Sequence, residues 1–247
     1  MGGETDLLIG GFMLYYTLLP DNYSSDDYAR LYSEISVKLP SFRKEKAEKL
    51  IPSKERTENA LSFFLLCHAL SSEYPSLFSD MSLCDIGKTI FFSYSALGKP
   101  SLNPPYADIH FNISHCRTAI ACAVAPFNIG VDIQDIRTPS SAVLKRFFPS
   151  PEQSVSADDF SVNWSRYEAF TKLTGEGITR SLTDCEYLSD NFLRRTHTFI
   201  QSFSIKDNAQ KKTAAYLATA FHSDHSDSYL TSPVIIDFSS LCELALL

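Results

Sequence analysis

An aspartate set among β-formers is the first residue of this chain that asks for a chemical explanation. In IGVDIQDI, Ile129, Val131 and Ile133 alternate with Gly130, Asp132 and Gln134. Because a strand turns alternate side chains to opposite faces, Asp132 and Gln134 share one face. Aspartate is disfavoured in strands, and the β-branched partners predict that the other face is buried. Two readings stay open from this segment alone: an edge strand with an ordinary wet face, or a core strand presenting Asp132 and Gln134 to a metal ion. A second carboxylate lies in NWSRYEAFTKLTGEG, which reads as a helix. There Trp164, Glu168 and Lys172 are spaced by four and line one face. An exposed Glu168–Lys172 pair would contribute only about 0.3–0.5 kcal/mol. The tryptophan on the same stripe favours a partly buried site over a solvated face. A third group is Ser114-His115, ending HFNISH and downstream of Lys99 in GKP. Hydroxyl, imidazole and ammonium together suit a phosphate monoester.

Several other chemistries are excluded by what is missing. No G-x-S-x-G turn accompanies Ser114, and a serine and histidine adjacent in sequence do not make a nucleophile–base pair. Neither a G-x-x-x-x-G-K-[ST] loop nor a G-x-G-x-x-G fingerprint is present, so an ordinary nucleotide-binding loop has no support. His222 and His225 have metal-like spacing, but they fall in a Ser/Asp-rich stretch that reads as solvated loop.

The elements that must position these groups follow from periodicity. Residues 7–19 read as a strand, 25–37 as a helix and 56–71 as a helix enclosed on all sides, with the basic stretch FRKEKAEKLIPSKER between them. Residues 89–95 read as a strand leading into the turn Gly98-Lys99-Pro100. HFNISH, AIACAVA and IGVDIQDI then give three strands. The second half has helical signals at 140–148, 151–157 and 163–174, the last with Asn163 as N-cap and Gly175 as its left-handed stop. Strand-like segments follow at 185–188, 192–205, 214–221 and 234–238. The pattern predicts an α+β protein of two lobes, 1–127 and 128–247, joined near Pro126 and Asn128.

The chain has 247 residues, 44% hydrophobic and 21% charged, enough to bury a sizeable core. A net charge of −7 argues against nucleic-acid binding. The apolar stretch LLIGGFMLYYTLL follows Glu4 and Asp6 and is too short to span a bilayer, so it reads as a buried strand, with no membrane partner expected. Six cysteines without a C-x-x-C pair predict reduced thiols in a cytoplasmic protein.

Taken in order, GKP (98–100), FNISH (111–115), GVDIQ (130–134), KRFF (145–148) and WSRYEAFTKLTGEGI (164–178) resemble the two-lobed, Sfp-like branch of the 4′-phosphopantetheinyl transferases. The W-x-x-x-E-A form of the last piece resembles the subgroup associated with secondary-metabolite carriers. The resemblance implies two similar lobes related by a pseudo-twofold axis, with coenzyme A in the cleft between them. It implies a monomer that modifies an apo acyl or peptidyl carrier protein, with Mg²⁺ held by Asp132 and Glu168 and Gln134 beside them. Lys172 would face the pyrophosphate. Ser114, His115 and Lys99 would hold the nucleotide phosphates, and Arg43 and Lys46 the 3′-phosphate. Asp132, Glu168 and Lys172 would carry the catalysis, with Glu168 the candidate base. The chain departs from the family pattern at Gln134, where many relatives have a third carboxylate, and at Tyr167, where a lysine is common. Asn59 and Ala60 replace an arginine and a hydroxyl residue. Two other functions use the same residues: a non-catalytic module binding a carrier or nucleotide, and a metal-dependent phosphohydrolase.

Overall fold

A computed structural model describes residues 12–51, 53–147, 155–177, 188–207, 212–222 and 232–247. It shows a mixed α+β protein built on two main sheets. The first has the order β4 (His110–His115), β5 (Ala119–Ala125), β1 (Met13–Leu18), β9 (Val234–Ile235). The second has the order β6 (Ile129–Asp135), β8 (Thr213–His222), β7 (Thr198–Lys206). All neighbours are antiparallel except β1 and β9. A hairpin of β2 (Phe92–Tyr94) and β3 (Pro100–Leu102) stands apart.

The strand AIACAVA shows how sequence sets the layering. Both of its faces are buried, and they differ in bulk. Ile120, Cys122 and Val124 face the core under α3 (Ser53–Glu73). Ala119, Ala121, Ala123 and Ala125 face a second core shared with Ile129, Val131 and Ile133 of β6. Four alanines on one face let β6 and its sheet approach closely, because methyl groups leave little volume to fill. The helix α3 is buried nearly all round, from Ala60 to Leu70. It packs against α1 (Ser25–Ser36) and α5 (Leu83–Thr89) as well as the first sheet.

Several sequence expectations need correction. The helix carrying Glu168 is α7 (Ala157–Thr174), and its N-cap is Ser156, about two turns before Asn163. Ser156 Oγ accepts the Asp159 N–H at 3.0 Å, whereas Asn163 sits inside the helix and donates to the Asp159 carbonyl at 2.8 Å. Gly175 does end the helix, at φ 73°. Residues 192–195 belong to α8 (Asp190–Arg195), capped by Ser189, and the strand starts only at Thr198. After β9 the chain turns helical in α9 (Phe238–Leu246), whose Leu241 and Ala245 enter the first core. β9 thus pairs with β1 of the first sheet and α9 packs into the first core, while β6 to β8 form the second sheet. Most of the expected helix over 151–157 and most of the strand over 185–188 lie outside the described residues, as does His225.

The junction of β6 and α7 is tight enough for a single sequence change to probe. A Cβ on Gly130 would stand 2.0 Å from the Ala169 carbonyl oxygen and 2.5 Å from the Leu173 nitrogen. Both obstacles are helix backbone, which cannot swing aside. Gly130→Ala is therefore expected to destabilise the protein by about 3 kcal/mol or more by overpacking. Urea denaturation measures this, and an unchanged midpoint would show that α7 does not pack on β6 as described.

Candidate functional site

The two sheets meet edge to edge at β4 and β6, and side chains make the join. Asn112 Oδ1 accepts the Val131 N–H at 3.0 Å, and Ser114 Oγ donates to Asp132 Oδ1 at 2.7 Å. Asp135 accepts the Arg117 N–H at 3.0 Å and the Thr118 hydroxyl at 2.6 Å. Helix α7 packs on β6 and β8 of the second sheet, and Lys172 Nζ reaches the seam, donating to Asp132 Oδ1 at 2.6 Å and Ser114 Oγ at 2.8 Å. Glu168, one turn earlier, has Oε2 3.9 Å from the same ammonium. Ser114, Asp132 and the Glu168–Lys172 pair, distant from one another in sequence, therefore form one cluster.

Its electrostatics call for more positive charge than the protein provides. Asp132 is 3% exposed, and its Oδ2 is buried without a hydrogen-bond partner. Burial pushes the Glu168 carboxyl up to about 7, and the Asp132 charge adds to the rise; Lys172 and the Trp164 side chain pull it back. Two crowded carboxylates served by one lysine could hold a cation through oxygen donors, the chemistry that Mg²⁺ and Ca²⁺ prefer. Gln134 lines the same recess, and its amide donates to the Asp135 carbonyl at 3.2 Å. Among the described residues no group of three or more His, Cys, Asp or Glu could hold a metal. A divalent ion here would draw the rest of its shell from water or from a substrate.

Beside the cluster opens a cavity of about 480 Å³. Glu168 and Lys172 line one end, Arg43 and Lys46 of α2 (Ser41–Glu48) the other, and Phe63 and Tyr94 lie between. Arg43 is 7% exposed, stacks on the Phe63 ring at 4.9 Å and donates through Nη2 to the Asn59 carbonyl at 3.1 Å. Its Nε is buried with no hydrogen-bond partner, so one donor remains uncommitted. Lys46 is exposed on the rim. His115 is half exposed at the cavity edge, its Nδ1 3.8 Å from Glu58 Oε2. Burial, then the Lys172 charge, lower its pKa and favour the neutral imidazole.

Lys99 stands differently from the other basic groups. Its ammonium donates to Asn128 Oδ1 at 2.6 Å and to the Leu173 carbonyl at 2.9 Å, with the Ile129 carbonyl at 3.5 Å. Burial lowers its pKa to about 8. Trp164 stacks on Phe160 at 5.5 Å while its side chain hydrogen-bonds Glu168, and Tyr167 is fully buried in the same small apolar cluster. The side chains of Lys145, Arg146 and Phe148, and Ile178, fall outside the description.

Sequence reasoning missed Glu58. It is 4% exposed on α3, 3.8 Å from both Lys54 and His115. Burial raises it to about 7, against the pull of Lys54. No sequence signal distinguishes it from an ordinary acidic residue in the first turns of a helix.

Buried Asp132 and part-exposed Glu168, beside a cleft that also holds Arg43 and Lys46, offer oxygen donors for a cation and basic groups for an anion. The comparisons with known proteins make this specific. A sequence model of the 4′-phosphopantetheinyl transferase superfamily matches residues 128–229. The 4′-phosphopantetheinyl transferase Sfp of Bacillus subtilis (strain 168) is 30% identical over 182 residues, 70% of this chain and 72% of that one. A 4′-phosphopantetheinyl transferase of Bacillus subtilis is 37% identical over 101 residues, 38% of this chain and 45% of that relative. The 4′-phosphopantetheinyl transferase gsp of Aneurinibacillus migulanus is 29% identical over 99 residues, 37% of this chain and 40% of that relative. The chain belongs to the 4′-phosphopantetheinyl transferases.

Glu58 offers a test of the cleft's electrostatics that needs no ligand. Its folded pKa of about 7 lies above the ordinary 4.5, so the folded state holds a proton that the unfolded state has released. The stabilising contribution is full below about 4.5 and is lost as pH rises through about 7. Above that, the buried charge costs up to about 3 kcal/mol. Glu58→Gln removes the charge and keeps the shape. Its stability relative to wild type should therefore rise between pH 5 and pH 8, as read by urea denaturation. A difference independent of pH would contradict the buried, raised carboxyl.

Proposed function

We propose that the chain transfers the 4′-phosphopantetheine arm of coenzyme A to a serine of an apo acyl or peptidyl carrier protein, releasing adenosine 3′,5′-bisphosphate. The observation that carries this reading is buried Asp132 with part-exposed Glu168 and Lys172, the latter two lining a cleft that also holds Arg43 and Lys46. Asp132 and Glu168 would hold Mg²⁺, with Gln134 as a neutral neighbour. When bound, the ion supplies charge neutralisation on the pyrophosphate. The partnerless Asp132 Oδ2 and the raised Glu168 carboxyl are what such an ion would satisfy.

The carrier serine oxygen forms the new bond to the phosphorus bearing pantetheine. The bond from that phosphorus to the oxygen of the adenosine bisphosphate breaks. Glu168, directly or through a water, accepts the serine proton. Lys172 donates to the leaving phosphate oxygens and stabilises their growing charge. Ser114 supplies a hydroxyl beside the same ammonium. Arg43, with its unpartnered Nε–H, Lys46 and His115 hold the 3′-phosphate. The relatives named above are transferases, which leaves a purely binding module or a phosphohydrolase without support. No helix among the described residues is long and apolar enough to cross a membrane. The reading extends to a monomer in the cytoplasm.

Three outcomes test this. Incubation with coenzyme A and Mg²⁺ should add one phosphopantetheine mass to at least one member of a panel of apo carrier proteins. A folded enzyme that leaves the whole panel unmodified by intact-mass analysis rules the transferase reading out. Asp132→Ala should abolish transfer while circular dichroism stays unchanged, and normal turnover would remove the metal assignment. His115→Ala should raise the KM for coenzyme A by about tenfold or more while kcat falls less, because a contact remote from the reacting phosphorus contributes uniform binding. Dephospho-coenzyme A, which lacks the 3′-phosphate, should be used about equally by variant and wild type. An equal defect with both substrates would place His115 elsewhere.

A further inference from the structure

Helix α7 ends in a way its own sequence does not provide for. The last four carbonyls of a helix have no partners within it and must find them elsewhere. The Thr171 carbonyl accepts the Gly175 N–H at 2.9 Å, which closes the left-handed stop. The Leu173 carbonyl is served from outside the helix by two side chains, Lys99 Nζ at 2.9 Å and Asn128 Nδ2 at 2.9 Å. Those two groups also bond each other, Lys99 Nζ donating to Asn128 Oδ1 at 2.6 Å. The lysine arrives from the turn before β3. There Ser95 Oγ accepts the Lys99 N–H at 3.0 Å and the Gly98 N–H reaches the Ser95 carbonyl at 2.9 Å. Its aliphatic stem passes beside Gly175, where a Cβ would meet Lys99 Cδ at 3.5 Å.

An ammonium has three N–H donors. Here two are committed at 2.6 and 2.9 Å, and the third faces the Ile129 carbonyl at 3.5 Å. A cation at a helix C-terminus also meets the negative end of the helix dipole, where it is stabilising. Residue 172 immediately precedes the carbonyl being held, and Glu168 lies one turn upstream. We infer that Lys99 is a positioning residue, which with Asn128 latches the C-terminal turn of α7 and so sets where Lys172 and Glu168 stand, rather than a ligand of the nucleotide phosphates.

The consequence separates cleanly from that of a phosphate contact, and its kinetic arm rests on the transferase reading above. Lys99→Gln shortens the side chain and should lower kcat about tenfold or more through misplacement of Lys172 and Glu168. The dissociation constant for coenzyme A, measured by calorimetry, should move by less than about threefold. Asn128→Ala, which does not line the cavity, should reproduce the same split, and the double variant should be less than additive because the two groups share one acceptor. Amide hydrogen exchange across residues 171–175 should quicken in both variants. A tenfold weaker coenzyme A complex with kcat retained in Lys99→Gln, or an Asn128→Ala protein indistinguishable from wild type, overturns the latch. So does a lowered melting temperature in both variants with kcat and exchange in 171–175 unchanged. Should the wild type fail to modify any carrier, the functional reading falls, while the exchange measurement still decides for or against the latch.

Discussion

The seam between β4 and β6 is the constraint on which the rest of the molecule turns. Two strands lie side by side, yet side chains make the connection where a backbone ladder would have closed a continuous sheet. A ladder would leave no room for a ligand between the sheets. The side-chain join leaves a groove, and it puts Ser114 and Asp132 at the groove's floor as fasteners. One oxygen of Asp132 serves the join and the approaching Lys172; the other, buried and without a donor, is left facing the site. The same carboxylate therefore links the halves and carries the chemistry. Four alanines on β5 make this possible, since larger residues on that face would hold the second sheet too far away for Ser114 to reach Asp132.

The protein carries a net charge of −7, yet its proposed substrate is a polyanion. Short-range placement resolves the conflict. Exposed charges farther than roughly 8 Å are largely screened at physiological salt, so the groups lining the cleft decide binding. Arg43 is held by Asn59 and by the Phe63 face, an arrangement that keeps a guanidinium in place in a poorly solvated position. Lys172 is tied to Asp132 in the same way. Preorganisation of this kind lowers the entropy lost when a flexible ligand is bound.

How much of this was legible in the sequence depends on whether a signal was local. Alternation in IGVDIQDI correctly paired Asp132 with Gln134 on one face, and four-residue spacing correctly paired Glu168 with Lys172. Both are geometric rules that need no tertiary knowledge. The start of α7 was misread because Asn163 is as good a cap by type as Ser156. Only the packing of Phe160 and Trp164 extends the helix back to the earlier residue. Residues 192–195 lost their strand because a short capped turn, set by Ser189, competes over so brief a stretch. Glu58 and the surroundings of Lys99 were invisible for a different reason. Each acquires its character from groups scores of residues away, and no pattern along the chain encodes such a meeting.

The return of β9 and α9 to the first sheet has a bearing on how the protein is made. Leu241 and Ala245 complete a core whose other walls come from α1, α3 and β5, so the earliest elements wait for some of the latest. On a ribosome adding about 5–20 residues each second, the exposed underside of α3 stays uncovered for many seconds. The part of α3 that α9 covers is unshielded for that interval, the period in which a chaperone would find a hydrophobic surface to hold. A fragment stopped after β8 would keep every residue of the carboxylate cluster and still lack the pieces that finish its first core.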